Sequence, residues 1–298
     1  MAKYVLHNLC LAFAIFSLAS AAAPTDRLKV YVVNYPLQYF AERIAAEHAI
    51  VVLPAPADVD PAFWMPDVKT IGAYQRADLI LLNGAGYARW VNKVTLPQFR
   101  RVDTSAGFRD RYIKIANVVT HTHGPTGKHA HAATAFTTWL DFDLAAQHAK
   151  AVMDALSRRQ PARRDTFQRR YATLEQDLKA LDDELKTIVS QRPRQPFVAS
   201  HPVYDYLARR YGLQIKSVHW EPGELPTESQ WAALAAILQD HPARWMIWEG
   251  KPHPDVMARL QSMGINSLIF DPLGHVPLGG DFLSLMRQNV ENLRQAFQ

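Results

Sequence analysis

Four histidines, His121, His123, His129 and His131, fall within eleven residues in the stretch THTHGPTGKHAHAA. Neutral imidazole is the commonest nitrogen ligand for metal ions and suits Zn, Cu and Ni. Two H-x-H pairs around Gly124, Pro125 and Gly127 can gather such ions transiently, although the stretch is too short and pliable for a closed structural site; its plain alternative is a solvated polar loop. A second donor set is scattered. His201 follows the apolar run Phe197–Ser200, Glu249 ends RWMIW, and Asp271 ends SLIF just before Pro272-Leu273-Gly274. One imidazole and two carboxylates form an N and O donor set that suits zinc or manganese. Each residue alone also has a local alternative, as a helix cap or a loop hydrogen-bonder.

Other chemistries are excluded by what the chain lacks. There is no GxxxxGK[ST] phosphate loop, no GxGxxG after a strand, no GxSxG elbow and no HExxH helix. The single cysteine, Cys10, rules out a disulfide framework, a Cys-rich zinc module and an iron–sulfur site. The basic cluster Arg158, Arg159, Arg163, Arg164, Arg169 and Arg170 has no interleaved aromatics. It therefore reads as a solubilising helix face or a docking surface for a membrane partner, and no nucleic-acid partner is expected. Asp182, Asp183 and Glu184 read as a solvated acidic face.

The elements that must position the donors follow from periodicity. Leu28–Asn34, Ile50–Leu53 and the continuous apolar run Ala77–Asn83 read as strands, with Arg111–Val119 a weaker fourth. Pro36–Glu47 and Asp67–Ala77 read as the helices between them. Asp143–Arg159 and Ala162–Gln191 are helical, broken at Pro161. In the second, Phe167, Tyr171, Leu174, Leu178, Leu181, Leu185 and Ile188 form one apolar stripe along about 45 Å. Alternation then resumes. Strands are expected at Pro196–Ser200, Gln214–Val218, Arg244–Trp248 and Ser267–Phe270, and helices at Val203–Tyr211, Ser229–Gln239, Pro254–Met263 and Asp281–Phe297. The fold class is α/β: two Rossmann-like lobes, 24–145 and 193–298, with helical segment 146–192 carrying a long backbone helix between them and a His-rich loop at 120–133. Such lobes set strand ends on facing sides of a cleft.

With 298 residues, 48% hydrophobic and 20% charged, the chain can bury a proper core and is not a disordered polymer. A net charge of +5 decides little. Residues 1–23 read as a cleaved secretory signal: Lys3, a ten-residue apolar run at Leu9–Leu18, and A-x-A cleavage after Ala21 or Ala23. Cys10 leaves with it. The expected product is an exported, periplasmic protein without thiols, so that any metal must be held by N and O ligands.

Several stretches together resemble a known family. LKVYVVNYPLQYFAERIA, ADLILLNGAGYARWVNKV, SHPVYDYLARRYGL, IFDPLG and DFLSLMRQNVENLRQAF are similar to the metal-binding periplasmic proteins of ABC importers, the ZnuA/TroA-like group. The resemblance spans nearly all the mature chain and implies a cluster A-I type solute-binding protein. It would capture a divalent transition metal, zinc first and manganese as the alternative, and deliver it to an ABC permease in the inner membrane as a non-catalytic monomer. It also implies a ligand set. His201 in Ser200-His201-Pro202 and Asp271 before P-L-G match family ligands, and Glu249 matches a position at the rim. Two family imidazoles are absent: Ala62 follows Asp60-Pro61 where one is expected, and Thr137 stands two residues before Trp139-Leu140-Asp141 where the other is. Three outcomes follow. The His121–His131 stretch folds back to supply imidazoles; Asp60, Glu249 or His219 completes the shell; or the chain is a degenerate member that holds a metal chelate or acts as an accessory carrier. A metal-dependent hydrolase built on His201, Glu249 and Asp271 is the remaining class, though no hydrolytic motif surrounds Glu249.

Overall fold

In a computed structural model the described residues are 27–57, 59–115, 120–122, 128–130 and 134–298. The expected signal, with Cys10, lies outside them, as do His123 and His131. Two four-stranded parallel sheets form the frame. The first has order β2-β1-β3-β4, from β1 (Leu28–Val32), β2 (Ala49–Val52), β3 (Leu79–Leu82) and β4 (Arg101–Asp103). Its fourth strand is not the expected Arg111–Val119. Within the described part of that stretch only a single antiparallel bridge forms, Lys114 to Thr134. Arg101–Asp103 takes the sheet edge instead, and with one apolar residue in three it carries no run to read. Part of the expected His-rich loop is paired as well: β5 (Thr120–Thr122) and β6 (Lys128–Ala130) make a hairpin whose register sets His121 opposite His129.

The second sheet has order β10-β9-β7-β8, from β7 (Pro196–Ala199), β8 (Gln214–Ser217), β9 (Trp245–Trp248) and β10 (Asn266–Ile269). Helices cover both sheets: α1 (Tyr35–Ala45), α2 (Val68–Arg76), α3 (Phe142–Arg159), α5 (Asp205–Tyr211), α6 (Glu228–Asp240), α7 (Pro254–Ser262) and α8 (Phe282–Arg294). Their ends follow the sequence. Asn34, Asp67, Asp141, Thr227 and Asp281 each accept a backbone N–H as N-caps, and Gly212 closes α5 in the left-handed conformation.

Between the lobes runs α4 (Arg164–Ser190), 27 residues and about 40 Å long. The expected stripe is its buried face: Phe167, Leu174, Leu178, Leu181, Leu185 and Ile188 are each at most 2% exposed, with Tyr171 at the margin. These residues join Val30, Phe40 and Ile80 of one lobe to Phe197, Phe282 and Met286 of the other in a single hydrophobic cluster. The seam is aromatic where α1 meets α8, with Phe40 and Phe282 edge to face at 5.4 Å. The acidic triplet on α4 is not a uniformly solvated face. Asp182 is buried and accepts from Arg210 Nε (2.9 Å) and Nη2 (2.6 Å), from Tyr211 Oη (2.9 Å) and from Lys186 Nζ (2.5 Å). Helix periodicity alone could not show this, because Arg210 and Tyr211 lie on α5, 28 and 29 residues away. Among the described residues no helix is long and apolar enough to cross a membrane.

Candidate metal centre

Strand register brings the C-terminal donors together. Ala199 pairs with Ile247, so His201 and Glu249, each two residues further on, leave the sheet side by side. Ile269 pairs with Trp248, which sets Asp271 at the same edge. The backbone beyond the strands is tied down. Ser200 N–H donates to Ile247 O, Trp220 N–H to Ser200 O and Phe270 N–H to Trp248 O, all within 2.8–2.9 Å. Asn289 of α8 brackets Asp271, accepting from its N–H (3.0 Å) and donating to its carbonyl (2.7 Å).

The side chains converge on one cavity of about 350 Å³, lined by His201, Glu221, Glu249, Asp271 and His275 together with Asp60 and Thr137 from the N-terminal lobe. His201 is buried, with Nδ1 3.1 Å from Glu249 Oε1 and Nε2 3.7 Å from Glu221 Oε1. Burial opposes its charge, but the Glu249 and Glu221 carboxylates outweigh it, and the ring titrates above the ordinary imidazole value. Burial raises the Asp271 carboxyl, helped by the nearby Glu249 charge, while the Leu273 N–H bond (2.7 Å) and His275 pull the other way. The His219 ring stands perpendicular to that of His201, with centroids 5.8 Å apart.

The N-terminal side of the cavity is built differently. Ala62 is buried, and its N–H donates to Asp60 Oδ1 (2.8 Å). Thr137 lines the cavity, but its hydroxyl donates to Val203 O (2.5 Å). Most of this wall is aromatic. Tyr87 meets Phe136 edge to face at 5.3 Å and Trp139 at 5.7 Å, and Phe63 meets Phe136 at 6.1 Å. Trp139 Nε1 reaches across to donate to Pro272 O (2.7 Å), which ties this wall to the turn after Asp271. Tyr87 sits on a loop that only glycine can start. Gly84 has φ +73°, and a Cβ there would lie 1.8 Å from Ser105 Oγ.

Of the expected site residues, then, His201, Glu249 and Asp271 share one cavity. For His121 and His129 the description extends only to their backbone pairing, and His123 and His131 lie outside the described residues. Among the described residues, no three His, Cys, Asp or Glu side chains are grouped closely enough to hold an ion. Sequence reasoning missed Glu221, His275, Phe63, Tyr87 and Phe136. Glu221 had a readable signal, since it follows β8 at the same sheet edge; the aromatic wall had none.

Comparison with known proteins places this architecture. The family model described as zinc-uptake complex component A, periplasmic, matches residues 30–296. The zinc-binding lipoprotein AdcA of Streptococcus pneumoniae (strain TIGR4) is 24% identical over 303 residues, covering 98% of this chain, which spans 60% of that relative's length. The high-affinity zinc uptake system protein ZnuA of Bacillus subtilis is 24% identical over 294 residues, covering 93% of this chain and 90% of the relative. The metal-dependent lipoprotein YcdH of Bacillus subtilis shares the fold at TM-score 0.76 and 22% identity, over 90% of this chain and 98% of its own. The Zn(II)-bound ZnuA-like domain of Streptococcus pneumoniae AdcA does so at 0.76 and 21%, with the same coverage. With two parallel α/β lobes on a long helix and a match over nearly its whole length, the chain belongs to the ZnuA family, zinc-uptake complex component A, periplasmic.

Proposed function

We propose that this protein is the exported solute-binding component of an ABC importer, capturing zinc in the interlobe cleft and presenting it to a permease in the inner membrane. The observation that carries the reading is the set of donors at one sheet edge: His201 against Glu249 at 3.1 Å, with Asp271 lining the same cavity. Glu249 at Nδ1 is placed as carboxylates are beside ligating histidines, fixing the ring and raising its basicity. His201 and Asp271 are the direct donors from this lobe, and Glu249 orients the His201 ring. His121, His123, His129 and His131 gather ions for the cleft; the hairpin register sets residue 121 opposite residue 129, one histidine position from each H-x-H motif. Manganese is the alternative ion; the His201 imidazole and the four histidines at 121–131 favour zinc over an oxygen-seeking ion. The protein binds and carries rather than catalyses. The test is a zinc titration of chelator-stripped protein. His201→Ala and Asp271→Ala should each weaken binding at least about tenfold, or about 1.4 kcal/mol, and a wild-type protein that takes up no zinc refutes the reading.

A further inference from the structure

The donors of the proposed site stand on one side of the cleft only. His201, Glu249 and Asp271 belong to the C-terminal lobe. Across from them the family's imidazole positions hold Ala62, which has no donor, and Thr137, whose hydroxyl is committed to Val203 O. What faces the donors is a wall of rings, Phe63, Tyr87, Phe136 and Trp139, interlocked edge to face. A zinc ion with bonds of about 2 Å fills a small part of the roughly 350 Å³ between them. That volume is instead at the lower end of the range for small organic ligands, and an aromatic lining with a few convergent polar groups is how such ligands are held. The charges choose the sign of the occupant. Asp60, Glu221, Glu249 and Asp271 line the cavity, and among the described residues no Lys or Arg does.

We infer that the cleft takes zinc as a complex with a small chelating co-ligand, an α-amino acid with an imidazole or aryl side chain. Its donors replace the two imidazoles absent at positions 62 and 137, and its ring lies against Phe63, Tyr87 and Phe136. The inference rests on the zinc-capture reading above. One amino-acid anion leaves the complex with a single positive charge, which suits the four carboxylates. A citrate complex, being anionic, is repelled. Aromatic faces also favour a flat cationic or aryl group over a hydrated ion.

The experiment titrates the chelator-stripped protein with zinc chloride alone, with zinc chloride plus excess L-histidine, and with zinc chloride plus citrate, reading affinity by calorimetry and stoichiometry by native mass spectrometry. Free histidine strips zinc from an ordinary side-chain site. Here it should raise zinc affinity about tenfold and give a 1:1:1 protein–zinc–histidine mass, whereas citrate gives no ternary mass. Phe136→Ala should cut the gain from histidine severalfold. Thr137→His, which restores a protein imidazole, should tighten binding of zinc alone and abolish that gain. Tight 1:1 binding of zinc alone, with histidine merely removing the metal, overturns the inference and leaves zinc capture standing; absence of zinc in every arm overturns both. A ternary mass with citrate overturns the charge selection and the amino-acid class with it.

Discussion

His148 links acid sensitivity to the wall of the cleft. It lies on α3, 1% exposed, with Nδ1 2.7 Å from Thr104 Oγ1 and Nε2 2.8 Å from Thr138 Oγ1. Thr104 gives its own proton to Leu82 O (2.9 Å), so it must accept from His148 Nδ1–H. Nε2 is then the acceptor, and Thr138 donates to it. A second ring proton has no acceptor without breaking that bond, and burial lowers the pKa from 6.5 to about 3. Below pH 6.5 the unfolded chain therefore binds a proton that the native chain refuses, and stability falls with pH until the folded value is reached. At pH 5 the loss from this group is about 2 kcal/mol, or about 3–4 °C in Tm for a chain of this size. Urea unfolding of wild type and of His148→Gln, which keeps one donor and one acceptor but does not titrate, isolates it. The variant should be the less stable at pH 7, and the gap should narrow by about 2 kcal/mol at pH 5. Equal gaps at both pH values would refute the burial argument. Because Thr138 sits between Thr137 and Trp139, the same titration should loosen the cleft wall before the rest of the lobe.

Two further predictions concern what holds the lobes and the wall. Asp182→Ala strands Arg210 and the Tyr211 hydroxyl where α4 meets α5 and should cost about 3 kcal/mol, read by urea unfolding at pH 7. Its carboxyl, held down at about 2 by Arg210, Lys186 and Tyr211 against the opposing effect of burial, contributes stability above pH 3.8 that is lost as pH falls toward 2. Gly84→Ala forces a Cβ into Ser105 Oγ at a positive φ and should cost about 3 kcal/mol. Zinc affinity should fall with stability, because the same loop places Tyr87, and an unchanged calorimetric titration would show that the loop and the site are independent.

The unequal legibility of the two halves of the cleft has a physical cause. The long helix was readable because its stripe repeats every three or four residues and is buried as written, from Phe167 to Ile188. The C-terminal donors were readable for a related reason. Each closes a continuous apolar strand, and parallel strands deliver their ends to one edge, so that order along the chain becomes proximity in space. Arg101–Asp103 failed that rule because an edge strand of three residues carries no apolar run. Asp182 failed it because its partners are set by helix packing. The N-terminal wall gave no periodic signal at all: Phe63, Tyr87, Phe136 and Trp139 come from three separate loops, and only tertiary contact makes them one surface. Sequence could therefore show that two imidazoles are absent, at Ala62 and Thr137, but not what occupies their side of the cleft. A missing donor reads as a degenerate metal site only if the space it leaves is empty. Here the space is walled by interlocked rings in contact with the turn that follows Asp271, which is the construction of a site for something larger than an ion.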